Sequence, residues 1–247
     1  MSVSIAGKTH TGKKRSAKVN EDSFFAEKID GIYLAIVCDG MGGAKGGNTA
    51  SSLAVKSFVE TVMELISDSA NYRDILFASV AKANDNVLKA AQNDEGLAGM
   101  GTTVVACIFD GSEYYAVNVG DSRMYVIDEK SGSVSQITKD HSLVQELVEN
   151  GTITKEQAEK SPNKNILTRA LGIDDIVDVD FFRGKHESGT ILLCSDGLYN
   201  YAEEADMAKY VFQYEDLDNC ANELIAKANE NGGGDNITAV MIKPQGS

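Results

Sequence analysis

A chain of 247 residues, 43% hydrophobic and 24% charged, is long enough for one large globular domain and has the composition of a soluble protein. Its formal net charge of −14 argues against nucleic-acid phosphates and anionic membrane surfaces as partners. There is no low-complexity linker and no window approaching the ~20 apolar residues of a membrane span, so a single domain over 1–247, soluble and cytoplasmic, is expected.

In chain order, the basic start MSVSIAGKTHTGKKRS lacks an apolar signal core. The first clear strand signal is Tyr33–Cys38, which runs straight into an aspartate and a glycine-rich turn. Two amphipathic helices follow. Val55, Phe58, Val59, Val62, Leu65 and Ile66 fall at helical spacing in Asn48–Ser67. Ile75, Leu76, Val80, Ala83, Val87 and Leu88 do so in Asn71–Gln92. The strand candidates Thr102–Phe109 and Tyr114–Val119 are joined by DGSE, a hairpin signal that makes the sheet at least partly antiparallel. Met124–Ile127 is a further short strand.

Asp140–Leu171 reads as a polar helical stretch, with Thr154 and Gln157 in a capping-box pattern. Strands Val177–Phe182 and Thr190–Cys194 come next, then a helix over Cys220–Asn231 stopped by three glycines, and a last strand Ile237–Ile242. Strands and helix pairs come in blocks instead of regular alternation, which predicts an α+β fold with helices covering antiparallel sheets. Cys38, Cys107, Cys194 and Cys220 form no Cys-x-x-Cys pair and read as reduced core thiols. His10, His141 and His186 are too scattered for a zinc site.

The functional signal is a repeated placement of aspartate beside glycine at strand edges: Asp39, Asp121, Asp196 and Asp235. Ordinary Asp-Gly turns are one explanation. The other is metal binding. Clustered carboxylates repel and resist burial, and hard divalent cations such as Mg²⁺ or Mn²⁺ relieve both costs. A neighbouring glycine lets the backbone approach closely and offers its carbonyl as a ligand. Two metals ~3.5–4 Å apart are common machinery for in-line attack on phosphorus.

Seven segments in order, VNEDSFF (Val19–Phe25), VCDGMGG, GMGTTVV (Gly99–Val105), NVGDSR, LTRALG (Leu167–Gly172), CSDGL and GGGDNIT, resemble the PPM family. These are metal-dependent Ser/Thr protein phosphatases of type 2C, here in the compact bacterial form. The resemblance implies two packed antiparallel β-sheets flanked by helix pairs, an α-β-β-α sandwich, with a flap at about 140–171 beside the active site. It implies that Asp39 bridges two tightly bound Mn²⁺ or Mg²⁺ ions and that the Gly40 carbonyl binds one of them. Asp196 and Asp235 would ligate the other, with Glu21 reaching its metal directly or through water. Asp22 would orient metal water, and Asp121 would hold a weaker third ion. The reaction implied is hydrolysis of phosphoserine or phosphothreonine by a hydroxide shared between the metals. Phosphoprotein substrates, a cognate Ser/Thr kinase and a monomeric state go with it.

Two positions depart from the family pattern. Ala44 and Lys45 follow DGMGG where a histidine, a candidate proton donor, is common, which leaves His10 and His141 as weak substitutes. Ala17 stands where the phosphate-binding arginine is expected, with Arg15 and Lys18 nearby. If this segment is extended, Arg15 shares the face of Ala17 and a small bulge brings it into place. A solvated basic arm is the competing reading. The competing function is a pseudophosphatase that binds metal and phosphoprotein without turnover.

Overall fold

In the computed structural model the described residues are 2–66, 71–186 and 188–244, with the side chain of Ala44 set apart. The side chain of Ala44 and the expected end of the first helix at Ser67 are therefore not described. The chain opens with β1 (Val3–His10), β2 (Asp22–Ile29) and β3 (Ile32–Met41). Helices α1 (Gly43–Leu65) and α2 (Tyr72–Asn93) follow. Then come β4 (Gly101–Thr102), β5 (Val104–Phe109), β6 (Glu113–Val119), β7 (Arg123–Ile127) and β8 (Val134–Gln136). Two short helices, α3 (Leu143–Glu149) and α4 (Lys155–Glu159), precede β9 (Asp180–Lys185) and β10 (Thr190–Cys194). Helices α5 (Asp196–Tyr199), α6 (Glu204–Gln213) and α7 (Leu217–Glu230) lead to β11 (Ile237–Pro244).

The strands form two sheets, ordered β1-β11-β10-β7-β8 and β2-β3-β5-β6-β9, with β4 pairing β3. Every named pairing is antiparallel. Between the sheets lies a core of alternating inward residues, among them Val37, Val105, Phe109, Met124, Leu193 and Val240. The helices α1 and α2 cover the outer face of the second sheet, where Phe58, Leu76 and Val87 meet Leu34, Ile36 and Val104. On the other side, Met207 and Val211 of α6 and Leu224 of α7 pack on Leu192 and Met241. Each such fully buried side chain contributes about 1.5–3 kcal/mol against the entropy of ordering the chain. The four layers match the sandwich expected from the motifs.

Local chemistry sets the turns. Asp30 and Gly31 both have positive φ, at 42° and 90°, the conformation a two-residue hairpin between β2 and β3 demands. Asn71 caps α2 through the Arg73 amide, and Asp216 caps α7 through that of Asn219. Gly233, at φ 55°, helps to end α7 with its amide on the Ala228 carbonyl. The capping box of Thr154 and Gln157 is formed. Strands β1, β2 and β8 were not legible in the apolar pattern, and strand β9 begins at Asp180 instead of Val177. The four cysteines are buried and unpaired, as their settings predict. Among the described residues no helix is long and apolar enough to cross a membrane.

Candidate active site

The ends of β2, β3, β10 and β11 meet at one edge of the sandwich and carry the acidic residues there. Asp22 and Asp39 are opposite one another at the first rung of the β2–β3 ladder. Ser195 and Thr238 both donate to Asp22 Oδ2, at 2.7 and 2.6 Å, while Asp22 Oδ1 is buried without a partner. Burial, opposed by these hydroxyls and aided by the Asp196 charge, pushes Asp22 up to about 6.

Asp39 is fixed through its backbone. Its amide donates to Thr103 Oγ1 at 2.9 Å, and its carbonyl accepts from the Thr103 amide and from Thr102 Oγ1. Burial, then the charges of Asp22, Asp196 and Asp121, hold the Asp39 carboxyl well above the usual carboxylate range. Gly40 follows because no side chain fits: a Cβ there would run into the carbonyl of Gly47.

Asp196 opens α5. Asn200 donates to its Oδ2 at 3.1 Å, and its Oδ1 is a second buried oxygen without a partner. Burial raises its pKa, opposed chiefly by Lys164. Asp121 lies in the turn after β6, near enough to Asp39 and Asp196 for their charges to register in its own ionisation. Burial first and Asp196 second push it up to about 7. The Tyr199 hydroxyl holds its carbonyl at 3.1 Å.

The N-terminal arm differs from expectation. Lys13–Arg15 is a 3-10 turn, so strand alternation does not place Arg15. The turn is pinned to the end of α7 and the loop before β11 by Lys13 and Lys14, whose amides donate to Asn229 Oδ1 and the Gly233 carbonyl. Arg15 thereby reaches the site: one guanidinium nitrogen contacts Asp235 Oδ1 and the other Glu21 Oε2 at 3.0 Å. Lys18 is exposed, and its amide closes a turn on the Arg15 carbonyl. The arm is therefore a built part of the molecule at Arg15.

Both substitute histidines have ring nitrogens engaged by other groups. His10 Nδ1 accepts the Gly12 amide, and the buried His141 is held by Gly120 and faces Asp180. Lys45 is surface-exposed, with its ammonium 3.9 Å from Asp94.

These residues suit an oxygen-seeking cation. Two partnerless buried carboxylate oxygens, and an Asp39 whose ionised form is strongly disfavoured by its neighbours, are features that a divalent ion stabilises. Among the described residues no three acidic, His or Cys side chains close on a single point; Asp235 and Glu21 instead share the Arg15 guanidinium. Ser195, Thr238, Asn236 and Asn200 were not singled out from sequence. The first three lie inside the quoted CSDGL and GGGDNIT segments, and all three are buried, Thr238 within β11 and Ser195 and Asn236 just outside strand ends.

A two-sheet sandwich whose strand ends gather cation-seeking carboxylates defines a metal-dependent hydrolase. The chain belongs to the protein phosphatase 2C family, whose family model matches residues 7–229. The serine/threonine phosphatase stp of Listeria innocua is 39% identical over 241 residues, covering 96% of this chain and 94% of that protein. The crystal structure of Stp1 from Staphylococcus aureus superposes with a TM-score of 0.90 at 30% identity, covering 100% of this chain and 96% of that one. The catalytic domain of the phosphatase PstP, solved with two manganese ions, gives 0.83 at 30% identity, covering 98% and 97%.

Proposed function

We propose that this protein is a phosphoprotein phosphatase acting on phosphoserine and phosphothreonine, with Mn²⁺ or Mg²⁺ as its cofactor. The observation that carries the reading is the convergence of Asp22, Asp39, Asp121 and Asp196 on one edge of the sandwich, each with its ionised form disfavoured. Membership of the phosphatase 2C family and relatives named serine/threonine phosphatases support it.

Asp39 and the Gly40 carbonyl, with Glu21, Asp196 and Asp235, are the groups assigned to hold two ions, and Asp121 a weaker third. Such ions supply Lewis acidity, neutralising the phosphoryl oxygens and lowering the pKa of water beside phosphorus. The chain's own residues do the rest. Asp22, with Oδ2 fixed by Ser195 and Thr238, keeps Oδ1 to accept a hydrogen bond from water and so would orient it. Arg15, whose terminal nitrogens rest on Asp235 and Glu21, would turn them to two phosphoryl oxygens once those carboxylates hold ions, and Lys18 would add a weaker secondary charge. Thr102 and Thr103 hold Asp39 so that its carboxylate needs no reorganisation.

The chain is read as one domain over 1–247 with 140–171 as its flap, monomeric and cytoplasmic, opposed by a cognate Ser/Thr kinase. Dephosphorylation of matched phosphoserine, phosphothreonine and phosphotyrosine peptides, with and without Mn²⁺, tests the function. Turnover of the first two only, and only with metal, is expected. Binding without turnover would move the protein to the pseudophosphatase reading.

A further inference from the structure

The two roots of the 140–171 segment meet at His141. On the near side, the His141 amide donates to the Gly120 carbonyl at 2.9 Å, and its Nδ1 accepts the Gly120 amide at 3.1 Å. That carbonyl also takes Asn118 Nδ2, which reaches on to the Lys139 carbonyl. On the far side, the His141 carbonyl accepts the Thr168 amide at 2.9 Å. Its Nε2 lies 3.3 Å from Asp180 Oδ2 and from Arg169 Nη1, and Arg169 donates to the other oxygen of Asp180 at 2.9 Å. With Nδ1 accepting, the ring proton sits on Nε2 and points at Asp180.

Two further ties make a unit of the junction. Arg123, directly after the Asp121–Ser122 turn, grips Asp140 with two hydrogen bonds of 2.9 and 2.7 Å. Leu171 exchanges both backbone bonds with Thr102, the residue whose hydroxyl holds the Asp39 carbonyl. The segment's roots therefore touch the backbone around Asp121 at one end and around Asp39 at the other.

We propose that His141 is a positioning residue that locks both roots of the 140–171 segment to the Gly120–Asp121 turn. The aim of the Asp121 carboxylate and the seating of the segment are then set together. Gly120 has φ 107°, which glycine adopts without strain, so its own backbone preference does not pin the turn and the hydrogen bonds on its two peptide groups do. His141 satisfies one donor and one acceptor of that single residue. Among the described residues no other side chain serves the Gly120 amide. The consequence for a cation at Asp121 rests on the ligand assignment given above.

The test compares His141→Asn, His141→Gln and His141→Phe in the full chain. Asparagine can place its Oδ1 where Nδ1 stands; glutamine and phenylalanine offer Gly120 no acceptor there. Amide hydrogen exchange is followed over 118–123, 140–143 and 167–171, and Mn²⁺ binding by calorimetry. His141→Phe is expected to speed exchange in all three stretches together and to weaken the weakest Mn²⁺ event about tenfold. His141→Asn restores both and His141→Gln restores neither. Unchanged exchange at 118–123 in His141→Phe, or equal defects in the Asn and Phe variants, overturns the proposal. Asp121→Asn is measured alongside. If it alters no Mn²⁺ event, the cation assignment fails, and exchange alone decides whether His141 couples the segment to the turn.

Discussion

Asp22 and Asp39 stand opposite one another across the β2–β3 ladder, and both resist ionisation. Two carboxylates on adjacent strands of a buried edge are a liability unless positive charge is brought to them. On the proposed ligand assignment, a cation bound at Asp39 would relieve this pair and so stabilise the fold.

Chelation should abolish hydrolysis, and added Mn²⁺ or Mg²⁺ should restore it, because the four thiols are buried with their thiolates disfavoured and the proposed reaction needs the ions. The same ions should raise the melting temperature. Saturation at a hundred times Kd corresponds to ~2.7 kcal/mol, which a thermal scan resolves easily. Full turnover by metal-free protein in excess EDTA would refute the mechanism.

Asp39→Asn should separate stability from function. Activity should fall at least about a hundredfold, since on the proposed assignment the carboxylate shared by both ions loses its charge. The metal-free variant should nonetheless melt higher than wild type at pH 8, because a like charge has been removed from among Asp22, Asp196 and Asp121. A lower melting point for the metal-free variant would show that Asp39 is not under electrostatic stress.

The pH profile of the metal-free protein carries the same signature. Asp121 titrates at about 7 in the folded chain and Asp39 well above the usual range, against ~3.9 for an unfolded aspartate. A carboxyl whose folded value is raised gives stability that is present at low pH and lost as pH rises through that folded value. Burial lowers His141 and His186, which act in the opposite sense, but only below ~6.5, where the unfolded imidazole takes its proton. Melting temperature should therefore fall between pH 6.5 and 8, and Mn²⁺ should flatten the slope. A rise over that interval without metal would contradict the assignment.

Arg15→Ala should raise KM for phosphopeptides severalfold, with Lys18→Ala milder. Arg15 projects from a pinned turn onto Asp235 and Glu21, whereas Lys18 is exposed. A planar guanidinium can grip two phosphoryl oxygens at once. Steady-state kinetics on one phosphothreonine peptide decides it, and identical KM values for wild type and Arg15→Ala would leave phosphate binding to the metals.

Gly197→Ala should destabilise the fold by more than about 2 kcal/mol, although Gly197 bears no functional group. A Cβ there would run into the carbonyl of Asn236, so α5 would have to move off β11 and take Asp196 with it. Chemical denaturation measures the loss. A shift under ~0.5 kcal/mol would mean that the two backbones are free to part.

Much of the architecture was written in local pattern. The apolar run of Thr190–Cys194, the hairpin signal at DGSE, the helical stripes of α1 and α2 and the capping box at Thr154 each report local burial or one turn's geometry. Asp39, Asp121, Asp196 and Asp235 were legible for the same reason: an aspartate beside glycine at a strand edge is a local anomaly. Edge strands β1 and β2 escaped because they have a ladder partner on one side only and bury less. In β1 the packing is done partly by Gly7, a residue with no side chain, beneath the Phe24 ring. What only the tertiary structure decided are contacts between residues far apart in the chain. Asp22 is held by Ser195 and Thr238, Arg15 reaches Asp235 through a 3-10 turn, and His141 joins Gly120 to Asp180. Periodicity encodes which face a residue presents. It does not encode which distant strand end that face will meet, because sheet order and loop closure fix that.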